Sequence, residues 1–196
     1  MNIEYNITLK YTKNNIIDFL CREDDKKWFL HKNDLKNYIE KYISKIPEPI
    51  LKAFDKEGWK IILTNENLED KFGYDFEIYG VTDKNYKTIY TYAYPVAITY
   101  GLGHEIGHFV DIFLGNISRT NQWKNICKQH KELSDMPIYY FTLNKCEFYD
   151  EEYFADSFLL FLNDKTLLKR CNESAYNLFD RLFNNIDIII DIISKG

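Results

Sequence analysis

Histidine is scarce in this chain, with 4 residues among 196, and so are cysteine and proline, with 4 each, and methionine, with 2. Cys21, Cys127, Cys146 and Cys171 stand far apart and form no C-x-x-C pair. They read as small, mostly buried hydrophobes, with one disulfide left open for an exported form. No run of about 18 uninterrupted apolar residues is present, so no transmembrane helix is expected. The first residues, Met1 to Asn6, have neither the basic nor the apolar region of a secretory signal. That leaves a cytoplasmic location, export by another route, or a signal already removed. A basic block is missing too: 25 Lys+Arg face 30 Asp+Glu, a net charge of −5. This balance argues against nucleic acid or an anionic membrane as the main partner. There is no internal repeat, low-complexity tract or Gly/Ser linker.

What is there is apolar and aromatic. Hydrophobic residues make up 45% and aromatics 17%, with 16 Tyr and 14 Phe, which excludes disorder. At about 150 residues per domain, the length predicts a single domain over 1–196, made of an α+β half (1–95) and a helical half (96–196). Such a chain buries a core without metal or disulfide staples. A metal, if present, has another purpose.

Ile3, Tyr5, Ile7, Leu9 and Tyr11 alternate with polar residues, the period of a half-buried strand. Leu35, Tyr38, Ile39, Tyr42, Ile43 and Ile46 recur at three and four, predicting an amphipathic helix over 33–46 that stops before Pro47. A short helix over 49–57 and a strand over 59–63 follow. Residues 76–82 and 86–92 read as a hairpin turning at 83–85. From about 96 the period is helical, predicting helices near 96–114, 120–133, 150–162 and 172–194, the last capped by Asn172. Residues 134–149 are the least regular part of this half. The fold class is α+β: a small N-terminal mixed sheet with helices, then a mostly helical C-terminal half.

One segment carries chemistry: Gly101-Leu-Gly-His104-Glu105-Ile-Gly107-His108-Phe-Val-Asp111, which contains H-E-x-x-H. Residues i and i+4 of a helix lie about 40° apart, so both imidazoles reach one zinc ion while Glu105 reaches the water bound to it. Ile98, Leu102, Ile106, Phe109 and Phe113 fall in a narrow arc opposite His104, His108 and Asp111. The core therefore anchors one side of the helix and the polar residues face a cavity. Gly101 and Gly107 each cost about 1 kcal/mol against Ala in a helix. Room for a metal and substrate, or close packing against another helix, would offset that.

Catalytic zinc needs a third protein ligand and an open fourth position. The extended pattern ending in a third histidine fails, because Asp111 and Leu114 stand where Gly and His belong. Of the other imidazoles, His31 and His130, the latter reads as a solvated residue in the middle of a helix. A better candidate is Glu152, with Asp156 one turn later on the same face. Glu152 would bind the metal and Asp156 would accept the free N–H of a ligand histidine, fixing its tautomer. A third arrangement, with Cys146 as ligand, suits hydrolysis of non-peptide amides.

These motifs together resemble the catalytic domain of anthrax lethal factor and the related bacterial Pro-Pro endopeptidases, whose motif is Glu-Glu-Phe-Phe-Ala-Glu-Ser-Phe. Here the matching run is Glu151-Glu152-Tyr153-Phe154-Ala155-Asp156-Ser157-Phe158, 44 positions after His108 counted to Glu152. The likeness covers about residues 98–185. It implies a zincin-like fold and a zinc metalloprotease of the gluzincin type, with His104, His108 and Glu152 as ligands and Glu105 as general base. Asp111 and Asp156 would orient the ligands. The family's oxyanion-stabilising tyrosine lies seven residues before the glutamate, where this chain has Lys145. Tyr149 and Tyr140, three and twelve residues before it, are the candidates, and Lys145 itself could donate. The resemblance implies hydrolysis of a peptide bond in a protein or peptide substrate. That substrate would lie extended along the sheet edge, placed at the strand over 86–92. A binding module that keeps the fold without cleaving is the alternative.

Overall fold

The computed structural model describes residues 4–9, 17–21, 32–64, 66–133 and 149–195. These divide into two compact units, one running to Glu105 and one from Ile106. No helix among the described residues is long and apolar enough to cross a membrane.

The first unit carries a five-stranded mixed sheet. Its strands are β1 (Glu4–Leu9), β2 (Ile17–Cys21), β3 (Lys60–Thr64), β4 (Gly80–Asp83) and β5 (Thr88–Tyr92). They lie in the order β2-β1-β3-β5-β4. β1 is antiparallel to both β2 and β3, β3 is parallel to β5, and β4 returns antiparallel on β5. The expected hairpin is therefore present. Its strand over 86–92, however, is β5, which has a strand on each side, and among the described residues β4 is an edge strand. The strand expected to offer a sheet edge is therefore an inner one, and the edge beside it is Gly80–Asp83.

Three helices accompany the sheet: α1 (Lys32–Ile43), α2 (Glu48–Lys56) and α3 (Leu68–Phe72). α2 begins beside Pro49 at its first turn, where a missing N–H costs nothing. It buries Ile50, Ala53 and Phe54, and β3 buries Ile61 and Leu63 by its two-residue period. α3 escapes the periodicity because it is too short. Its signals are an Asn67 cap, which accepts from Asp70 N–H at 2.7 Å, and Gly73 at φ +77.

Helix α4 (Leu102–Phe113) is entered through a π-helical turn over Ala97–Gly101. In the second unit come α5 (Asn121–Cys127), α6 (Tyr149–Asn163), α7 (Lys165–Cys171), α8 (Glu173–Asn184) and α9 (Ile186–Lys195). The helix expected over 120–133 ends at Cys127. The one expected over 172–194 is two helices, α8 and α9, and α7 before them falls where no helix is expected. Asn172 terminates α7 with φ −155 and caps α8, accepting from Ala175 N–H at 3.0 Å. Asn184 and Asn185 close α8, their amides turning back to Asp180 and to the Arg181 carbonyl. Asparagine offers the backbone such alternatives, and helices stop there.

α6 is buried from Tyr153 to Phe161, with no polar stripe in that stretch. Its Phe154, Phe158 and Phe161 pack with Trp123, Phe179 and Phe183, ring centroids of neighbouring pairs lying 4.8–6.2 Å apart. Tilted and edge-on pairs of this kind add about 0.5–1.5 kcal/mol each beyond area burial. Cys127 and Cys171 are buried free thiols. Their pKa values are pushed up to about 12 and about 11, burial being the main cause.

Candidate metal centre

α4 and the turn before it bury their apolar arc: Ile98 and Leu102 are fully buried, with Ile106, Phe109 and Val110 nearly so. Its two glycines are explained by close packing. A Cβ at Gly107 would lie 2.8 Å from Ala155 Cα and 3.0 Å from its carbonyl oxygen, on α6. One at Gly101 would lie 2.8 Å from Tyr79 Cβ, with the Tyr79 carbonyl at 3.0 Å. Neither glycine gives space to a ligand. Gly107 instead lets the backbones of α4 and α6 approach, and this sets His108 opposite Glu152.

His108 Nε2 and Glu152 Oε1 face one another at 3.5 Å. His104 is one turn earlier on the same continuous helix, and the ligand atoms of His104, His108 and Glu152 all lie within 4.8 Å of one another. Two ligands about 2.1 Å from a tetrahedral ion are about 3.4 Å apart, so the facing imidazole and carboxylate are spaced for a shared zinc. Two imidazoles and one carboxylate form a donor set suited to zinc, short of one ligand. All three side chains are partly exposed.

Glu105 is 6% exposed. The Thr82 hydroxyl donates to its Oε2 at 2.7 Å and lies 3.1 Å from its main-chain carbonyl oxygen. Asp111 is buried, and both its oxygens are engaged by one residue. Oδ1 accepts from Ser118 N–H at 2.8 Å, and Oδ2 from Ser118 Oγ at 2.6 Å. Burial raises the Asp111 pKa, opposed by those two hydrogen bonds and by the nearby His108. Asp111 thus ties the loop after α4 to that helix. Asp156 is buried one turn beyond Glu152 on α6.

Tyr149 opens α6, its ring 5.6 Å from that of Tyr153. Burial, with smaller contributions from Cys127, Asp150 and Asp156, pushes its hydroxyl up to about 12, so it keeps its proton at neutral pH. Tyr140, Lys145, Cys146 and His31 lie outside the described residues.

His130 is not the solvated helical residue expected. It follows α5, is half-buried, and its Nδ1 lies 3.0 Å from the Tyr153 hydroxyl. Asn172 Nδ2 donates to the same hydroxyl at 2.9 Å and to the Ile126 carbonyl at 2.8 Å. Trp123 Nε1 donates to the Asp150 carbonyl at 2.7 Å, and Arg119 pairs with Glu151 at 2.9 Å. Together they hold the first turns of α6, where Glu152 sits. Thr82, Ser118, Trp123 and Asn172 carry no motif spacing toward the candidate metal ligands. Only Asn172 was marked in the sequence, as a cap.

No protein-family model matches the chain, and no curated protein matches it. Among solved structures it is similar to the Pro-Pro endopeptidase (PPEP-2) from Paenibacillus alvei, with a TM-score of 0.58 and 20% sequence identity. The likeness covers 78% of this chain and 93% of that one. The two share a fold: α+β, with a mixed sheet first and a largely helical second half.

Proposed function

We propose that the chain is a zinc-dependent endopeptidase of the gluzincin type, similar in its motifs to the lethal-factor-like proteases. The observation that carries this reading is the cluster of His104, His108 and Glu152 within 4.8 Å, with Glu105 between the histidines in sequence. Its fold neighbour is a Pro-Pro endopeptidase, which supports peptide hydrolysis.

A zinc ion held by these three residues would polarise the scissile carbonyl and lower the pKa of a water. Glu105 takes the proton from that water as the carbonyl is attacked, then passes it to the departing amine. A protonated Tyr149, Tyr140 or Lys145 would donate to the developing oxyanion. Asp156 would steady a ligand histidine, and Asp111, held by Ser118, would act on the nearby His108. The substrate lies extended on β4. Tyr92 N–H donates to the Tyr79 carbonyl at 3.3 Å, and main-chain groups alternate along an antiparallel pair. Val81 and Asp83 therefore bond toward β5, while Gly80 and Thr82 turn their main-chain groups to the edge, where a peptide strand can add.

Replacing Glu105→Gln should abolish cleavage of a diverse peptide library while zinc content, read by atomic absorption, stays at that of the native chain. Turnover by E105Q would remove Glu105 from the chemistry. Chelation should stop the native chain. The reading as a binding module draws on Lys145 standing at the tyrosine position. A library left uncut by the zinc-loaded chain would favour it.

A further inference from the structure

Thr82 is not part of any metal-site motif, yet its hydroxyl donates to Glu105 Oε2 at 2.7 Å. It lies 23 residues earlier, on the edge strand β4. Gly80 and Thr82 are two positions apart on that strand and so present the same face. Over Gly80 the Glu105 side chain fills the place of a missing methyl: a Cβ there would be 2.7 Å from Glu105 Cγ and 3.1 Å from Oε1. Beside it, the Thr82 hydroxyl bonds Oε2 at 2.7 Å. The carboxylate is thus seated by a gap under its stem and a donor on one oxygen. With Oε2 held, Oε1 is the oxygen turned toward the Gly80 side of the strand.

We infer that Thr82 is a positioning residue for Glu105: its hydroxyl fixes the carboxylate so that one oxygen is kept in place and the other is presented to the reacting water. The inference rests on the reading of Glu105 as general base. A general base works only within hydrogen-bonding reach of the proton it removes, so a wandering carboxylate lowers turnover more than it lowers substrate binding. The same strand that would receive the substrate thereby aligns the base.

The test uses the full zinc-loaded chain with Thr82→Val, which keeps the β-branched shape but lacks the donor, and Thr82→Ser, which restores it. Glutamate is labelled with carbon-13 at the side-chain carboxyl, and the Glu105 resonance is identified by its loss in E105Q. In T82V that resonance is expected to shift. Cleavage of the library probe should lose about tenfold in kcat, with KM changed less than about twofold. T82S should restore both. A resonance unmoved in T82V, a native kcat in T82V, or no rescue by T82S each overturns the inference. If E105Q is dead while T82V cleaves normally, the positioning role falls and the peptidase reading stands. If E105Q itself turns over, the base assignment falls and takes the positioning role with it.

Discussion

Gly107 illustrates how a residue between two histidines can matter without touching a ligand. An added methyl would meet Ala155 backbone at 2.8 Å, and backbone cannot swing aside as a flexible side chain can. Ala gains about 1 kcal/mol of helix propensity over Gly, while overpacking costs about 1–3 kcal/mol. Gly107→Ala should therefore lower the urea-unfolding free energy by about 1 kcal/mol and weaken zinc binding as α4 and α6 part. A more stable variant with native zinc affinity would contradict this account. At this scale, the nearness of His104 and His108 was legible because helical spacing alone places i and i+4 on one side. Glu152 was legible as a candidate from its spacing to Asp156. The partners of Asp111 and Glu105 were not: Ser118 lies beyond a turn and Thr82 on a strand, and no local period links them.

At the scale of the element, α6 is held at its start by neutral hydrogen bonds as much as by rings. The Tyr153 hydroxyl is buried, and burial raises its pKa, so it meets His130 and Asn172 as a protonated phenol. Tyr153→Phe keeps the ring but leaves the Asn172 amide and His130 without that partner, which should cost about 1–3 kcal/mol in chemical denaturation. Burial also lowers the His130 pKa, with Glu132 opposing it. The charged imidazole is thus disfavoured in the folded chain, and the unfolded chain binds more protons below about pH 6.5. The stability contribution is whole above that pH and falls as pH drops through the window toward the folded pKa. His130→Asn should flatten the difference in unfolding free energy between pH 7.5 and pH 5.5 relative to the native chain. An unchanged difference would exclude His130 as the group responsible. The sequence marked this helix by its motif and its apolar run. It did not mark its fastenings, because His130, Tyr153 and Asn172 are separated by 19 residues or more.

At the scale of the whole molecule, a metal bound by the folded chain and not by the unfolded one adds stability as RT ln(1 + [zinc]/Kd). At free zinc about a hundredfold above Kd this amounts to about 3 kcal/mol. Thermal melting should therefore rise with added zinc, and Glu152→Ala or His108→Ala should blunt the rise. A melting point indifferent to zinc would argue against the site. The sequence by itself determined the α+β order, β3, the hairpin of β4 and β5, helices α1, α2, α4 and α6, the Asn172 cap and the set of metal-ligating candidates. Those follow from periods of two and 3.6 and from cap chemistry, which are local. Tertiary structure decided that β4, not β5, is the sheet edge. It also decided that the glycines of α4 serve close approach, that His130 is a fastening and not a surface residue, and that Thr82 meets Glu105. Each depends on which distant backbones come within a few ångströms, and strand order and helix packing are set by the burial of the whole core rather than by any single stretch of chain.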